Sequence, residues 1–231
     1  MQRVSVAGAM VAAALMACSF GQAAKADDTE SQSPWQVRVR ALGVLPASSG
    51  STVNVQGGPA LSTPNSSLSI GNSIVPEVDI SYYITRNVAA ELILGVTPHN
   101  ITGSGALANL NIGKAWLLPP TLLAQWHFTD FGAFKPYIGI GLNYTIFFGQ
   151  SAGYTPTNGL GVTNLSLNNT VGGAVQVGFD YMFDKHWGVN FDVKKFILRP
   201  TYNATVNGTI PVSGTAVIDP WIIGAGVTYR F

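Results

Sequence analysis

The sequence predicts an all-β chain, an eight-stranded antiparallel transmembrane β-barrel built as an up-and-down meander. Three observations carry that expectation. The C-terminal segment alternates strictly, with Trp221, Ile223, Ala225, Val227, Tyr229 and Phe231 on one face and Gly224, Gly226, Thr228 and Arg230 among those on the other. Period two is a strand with one apolar face, and a terminal strand tipped with aromatics suits an outer-membrane barrel. The chain starts with an export signal, yet no later apolar run is long enough for a membrane helix, and charged residues make up only 10%, against about 25% in soluble domains. A closed barrel is the remaining way to cross a bilayer with every amide paired. Finally, the connections alternate long and short, as a meander through a membrane requires.

Residues 1–26 read as the signal peptide: Arg3 gives the positive start, Val4 to Phe20 is apolar and small, and Ala24-Lys25-Ala26 fits an A-x-A cleavage site. Leu15-Met16-Ala17-Cys18 approximates a lipobox, but Met16 is off pattern and the ordinary site lies downstream. Residues 27–231 are then the barrel domain. Cys18 is the only cysteine, so the processed chain has no disulfide or thiol chemistry. It carries ten basic against eleven acidic residues, net −1, which gives no basic footprint for nucleic acid.

Eight alternating segments follow in order. The first, Trp35 to Leu45, turns Trp35, Val37 and Val39 outward and Gln36, Arg38 and Arg40 inward. The second, Glu77 to Ile84, sets Val78, Ile80 and Tyr82 against Glu77, Asp79 and Ser81. The third, Val88 to Val96, sets Leu92 and Leu94 against Glu91 and Ile93. The fourth, Ala115 to Phe128, sets Leu122, Trp126 and Phe128 against Leu123, Gln125 and His127. The fifth, Phe134 to Phe147, sets Ile138, Ile140 and Leu142 against Gly139, Gly141 and Asn143. The sixth, Thr170 to Met182, sets Val175, Val177 and Tyr181 against Gln176, Gly178 and Asp180. The seventh, Trp187 to Leu198, sets Val189, Phe191 and Val193 against Asn190, Asp192 and Lys194. The eighth runs from Ala216 to Phe231.

The long connections are 48–75, 97–114, 148–169 and 199–215; the short ones are 85–87, 129–133 and 183–186. Short turns belong in the periplasm and long loops outside, with both termini periplasmic. Aromatics such as Trp35, Tyr82, Trp126, Tyr181, Trp187 and Phe231 gather at the turn end as an interfacial girdle. A thinner ring at the loop end takes in Trp116, Tyr144, Phe196 and Trp221.

The inward positions of the turn-end half place four cations, Arg38, Arg40, Lys194 and Arg230, beside five carboxylates, Glu77, Asp79, Glu91, Asp180 and Asp192. An eight-stranded barrel has room for side chains or one small ligand, and buried charges need partners. The expectation is a salt-bridged plug in the lumen; an ion path is the other reading. The long loops carry no carboxylate, and their cations are Lys114 and Arg199. For acid–base or nucleophilic chemistry the rim therefore offers only His99, three scattered histidines make no metal site, and no catalytic residue, cofactor or metal is expected. Leu61, Leu68, Leu107, Leu110, Leu160 and Leu165 stud those loops. They form a candidate apolar mouth, or simply pack the loops together. Pro119 and Pro120 cannot donate to a sheet ladder. They mark a candidate lateral opening; alternatively the strand starts at Thr121 and they end the loop.

Several segments resemble the OmpW family of small outer-membrane proteins: Leu118-Pro119-Pro120-Thr121 through His127-Phe128, Lys135-Pro136-Tyr137-Ile138-Gly139 through Tyr144-Thr145, Asp192-Val193-Lys194-Lys195, and Ile218-Asp219-Pro220-Trp221 with Tyr229-Arg230-Phe231. The resemblance implies a narrow, largely apolar channel, porin-like but not a general porin, that admits small hydrophobic molecules passively, with lateral exit into the membrane. The expected location is the outer membrane of a Gram-negative-type bacterium. The expected partners are its lipid and lipopolysaccharide, small hydrophobic solutes, and the barrel-assembly machinery, met through the strand ending in Phe231. The alternative is a structural or adhesion barrel whose loops contact host, phage or lipopolysaccharide without transport.

Overall fold

The computed structural model describes residues 33–47 and 49–231. The expected signal peptide lies outside the described residues. Fifteen strands follow one another: β1 (Trp35–Leu45), β2 (Asn54–Val55), β3 (Ser66–Ile70), β4 (Ser73–Tyr83), β5 (Val88–Gly95), β6 (Thr97–Gly105), β7 (Asn111–Leu118), β8 (Thr121–His127), β9 (Phe134–Ala152), β10 (Val162–Leu167), β11 (Thr170–Met182), β12 (Trp187–Ile197), β13 (Thr201–Val206), β14 (Ile210–Thr215) and β15 (Trp221–Arg230).

Eight of them, β1-β4-β5-β8-β9-β11-β12-β15, close into a ring of antiparallel neighbours. The ring is sealed between the first and last strands, from Gln36 opposite Arg230 to Leu45 opposite Trp221. Alternation sets the two surfaces. Val39, Ile80, Leu122, Ile140, Val177 and Val227 face outward, while Arg38, Asp79, Gln125, Tyr137, Gln176 and Thr228 are buried in the lumen. An outer wall that is apolar apart from Lys195 is stable against hydrocarbon, and ring closure gives each barrel strand a partner on both sides. At the turn end the rings touch edge to face: Trp35 on Tyr82 at 4.8 Å, Trp187 on Tyr229 at 4.7 Å and Tyr229 on Phe231 at 4.9 Å.

The four long connections are not irregular loops. They hold β2, β3, β6, β7, β10, β13 and β14. The upper part of β9 continues the wall into β7, β6 and β3, and a second sheet, β10-β13-β14-β2, stands beside it. The physical reason is burial: Leu68 and Ile70, Leu165 and Leu167, and Tyr202, Ala204 and Val206 each alternate inward and pack into one apolar cluster. The fourth expected strand, Ala115 to Phe128, is two strands, parted by Pro119 and Pro120. Phe196 does not belong to the loop-end aromatic ring. Its parity on β12 turns it into the lumen, where it is buried.

Candidate functional site

The lumen is stratified, because successive inward positions on the same strands change character with height. At the turn end lies a charged floor. Arg38 reaches Asp180 with two bonds, Nε to Oδ1 at 3.0 Å and Nη2 to Oδ2 at 2.6 Å, and donates through Nη1 to Glu91 at 2.8 Å and Ser81 at 2.7 Å. One level higher, Arg40 contacts Glu77 at 3.1 Å, Asp192 at 2.6 Å and Asp79. The Lys194 ammonium is 2.6 Å from Glu77 and 3.3 Å from Asp192. Neutral side chains tie the charges together. Gln176 donates to Asp192 at 2.6 Å and Glu91 at 3.2 Å, Gln125 donates to Glu91 at 2.7 Å, and Asn190 donates to Asp180 at 2.8 Å and the Tyr137 hydroxyl at 2.9 Å. Two glycines make the room. A Cβ on Gly178 would lie 2.6 Å from the Tyr137 hydroxyl, and one on Gly224 would lie 2.6 Å from Leu42 Cδ2.

Eight of the nine charged residues anticipated for this plug meet in it. Arg230 does not. It stacks on the Tyr83 ring, 3.8 Å from its centroid, and lines the open periplasm-side pocket beneath the floor. It is the last residue of β15, and although Asp180 lines the same pocket, no described ion pair joins the two. Without it the buried network holds three cations and five carboxylates, so the charge is less evenly matched than the sequence count suggests. His127 meets Gln125 at 3.0 Å and Tyr83 at 3.3 Å, and among its described hydrogen bonds none goes to Asp180.

Above the floor most of the same strands turn apolar, while β8 and β9 keep Thr121, Asn143 and Thr145 buried. Leu42, Ile93, Leu123, Ala174, Phe196 and Ile222 form most of a collar. Over it sits the outer chamber between the two extension sheets. It encloses a cavity of about 40 Å³ lined by Val53, Leu61, Leu68, Leu107, Leu110 and Leu160, among others. Leu165 lies in the same cluster, behind that lining. The six leucines singled out from the sequence therefore converge, across three separate connections. The collar is the part sequence reasoning missed as a unit. Its signal was present, since Leu42 and Val44 continue the inward parity of Arg40. His99 is buried beside the chamber with Nδ1 2.6 Å from the Gly71 carbonyl.

The two prolines break the wall on one side only. Toward β9 the ladder runs through them: Thr121 faces Asn143, Leu118 faces Ile146, and the Tyr144 N–H donates to the Pro120 carbonyl at 3.1 Å. Toward β5 and β6, pairing stops at Ile93 opposite Thr121 and resumes at Thr97 opposite Leu117. Leu94, Gly95 and Val96 thus stand opposite Leu118, Pro119 and Pro120 with no pairing in that interval. Strand β8 does start at Thr121, yet the prolines join two strands instead of ending a loop.

Comparison with known proteins matches this architecture. An uncharacterized outer-membrane protein, y4mB of Sinorhizobium fredii, is 56% identical over 199 residues, covering 86% of this chain and 80% of its own. The crystal structure of the outer-membrane protein OprG from Pseudomonas aeruginosa superposes with a TM-score of 0.76 at 23% identity, covering 87% of this chain and 97% of that one. The solution structure of E. coli outer membrane protein W gives a TM-score of 0.56 at 30% identity over 88% and 100%. The sequence signature of the OmpW family spans residues 32–231. This chain, an outer-membrane β-barrel, belongs to the OmpW family.

Proposed function

We propose that the barrel is a narrow channel for passive uptake of small hydrophobic molecules, which enter through the outer chamber, descend to the collar and leave sideways between β5 and β8. The observation that carries this reading is the vertical order of the lumen: an apolar chamber and collar standing on a fully buried ion-pair floor. An apolar solute gains about 0.8 kcal/mol per buried CH₂ in the upper layers. It gains nothing at the floor, where parting one buried pair costs about 3–5 kcal/mol. Straight passage is therefore disfavoured, and the unpaired interval at Leu94–Val96 is the weakest part of the wall at collar height. The chamber is nearly filled at about 40 Å³, so a solute enters by parting the leucines. No side chain of the chamber is assigned a catalytic role, and no cofactor is invoked. Phe231 ends the strand that would be read by the barrel-assembly machinery.

The same tight chamber favours one rival, a structural or adhesion barrel whose extension sheets meet host, phage or lipopolysaccharide without transport. Liposomes separate the two. With purified full-length protein in the bilayer, an external apolar dye should enter faster than into protein-free liposomes, and acceleration should fall when Pro119 and Pro120 are both replaced by Val. Dye entry equal to that of empty liposomes would remove the channel.

A further inference from the structure

Among the outward positions of the eight barrel strands, one carries a charge: Lys195 on β12, between Val193 and Ile197. A lysine on the lipid face is costly at the bilayer midplane and nearly free of cost near an interface. Register sets its height. Lys195 pairs with Trp221, the first residue of β15, at the loop end of the barrel, and its ammonium lies 5.1 Å from the Trp221 ring centroid. It donates to a neutral group, the Asp219 carbonyl.

The nearest carboxylate is already committed. Asp219 Oδ1 accepts from the Leu198 N–H at 2.7 Å, and Oδ2 takes Arg199 Nε at 2.9 Å and Nη2 at 2.8 Å. Arg199 itself is well exposed, at 59% of its side chain, and its bond to Asp219 keeps its guanidinium firmly protonated. Since the four long connections carry no carboxylate at all, the loop end sets Lys114, Lys195 and Arg199 against Asp219 alone. The loop-end surface therefore carries a local cationic excess that an anion from outside the chain would match.

We propose that Lys195, Arg199 and Trp221 bind a phosphate of an outer-leaflet glycolipid, a refinement of the expected lipopolysaccharide contact that is independent of solute uptake. Both cations converge on Asp219, so one phosphate above it meets an ammonium and a guanidinium together, and charge-assisted bonds to phosphate are the strong kind. Trp221 supplies the flat, amphipathic seat at headgroup level. Acyl chains would then run down the apolar strip of Val177, Val193 and Ile223, one outward position below Lys195 and Trp221. A soluble phosphate would have no use for that strip, which commits the site to a lipid.

The test is a titration of the full chain in phosphatidylcholine nanodiscs with lipid A bearing both phosphates, scored by retention in native mass spectrometry. Lys195→Gln and Arg199→Gln should each weaken retention about fivefold, while Arg86→Gln, at the opposite end, should leave it unchanged. The unaltered protein should retain lipid A stripped of phosphate no better than a variant with both Lys195→Gln and Arg199→Gln retains the phosphorylated lipid. Heat-modified gel mobility verifies folding, and exposed Arg199 carries the test if Lys195→Gln does not fold. Equal retention by the variants, or equal retention of dephosphorylated lipid A or phosphatidylglycerol, overturns the proposal.

Discussion

The charged floor and the apolar collar and chamber above it solve burial in opposite ways. The lower half buries eight ionisable side chains and ties them together by ion pairs, leaving among the described residues Asp79 Oδ1 and Asp192 Oδ1 without a hydrogen-bond partner. The upper half buries mainly leucine, valine and isoleucine, with uncharged polar side chains such as Thr121, Asn143, Thr145 and Ser66 among them. A charged network is held by specific partners, so losing one strands the rest. An apolar chamber is held by area and shape, so it yields by degrees. The barrel thus stacks a vestibule held by area and shape on a floor held by specific charge partners, and the proposed uptake route rests on that contrast.

The largest expected effect lies in the floor. Arg40→Met strands Glu77, Asp79 and Asp192 and should cost about 3–5 kcal/mol, read as a lowered urea midpoint in bilayers. An unchanged midpoint would erase the contrast between the halves. In the collar, Leu123→Ala should cost about 2–4 kcal/mol and, unlike any floor variant, speed dye entry. Smaller still, Pro119→Val with Pro120→Val should leave stability within about 1 kcal/mol, since restored hydrogen bonds are worth little net, yet slow uptake. The least effect belongs to the periplasmic turn. Hydrogen bonds from the Trp187 and His186 N–H groups hold the Asp184 carboxyl below the usual carboxylate range. That contribution is present above the ordinary range and fades as pH falls through the depressed value, so an acid titration of Asp184→Ala should differ from the unaltered protein only above that point, and slightly.

The barrel strands were legible because period two is written into each of them, and inward parity alone located Arg38, Arg40, Glu77, Asp79 and Lys194. The loops were misread because their alternating runs are short and set among Gly, Asn and Thr, residues that also make turns. Runs such as Tyr202-Asn203-Ala204-Thr205-Val206 become strands only when a facing sheet buries Tyr202 and Ala204. Arg230 was assigned to the plug because parity gives the face but not the height. The proline gap was half legible: proline predicts lost pairing, whereas which neighbour loses it depends on register, fixed by Thr121 opposite Asn143 on one side and Ile93 opposite Thr121 on the other.

The most direct test follows the solute itself. An alkyl diazirine, photolysed in proteoliposomes and mapped by mass spectrometry, should label Leu123 and Phe196 in the collar and Leu94 or Val96 at the gap, with no label on Gln36, Tyr83 or Tyr137. Labelling of Gln36 and Tyr83, beneath the ion pairs, would mean that solute crosses the floor, and the two-halves account would be wrong.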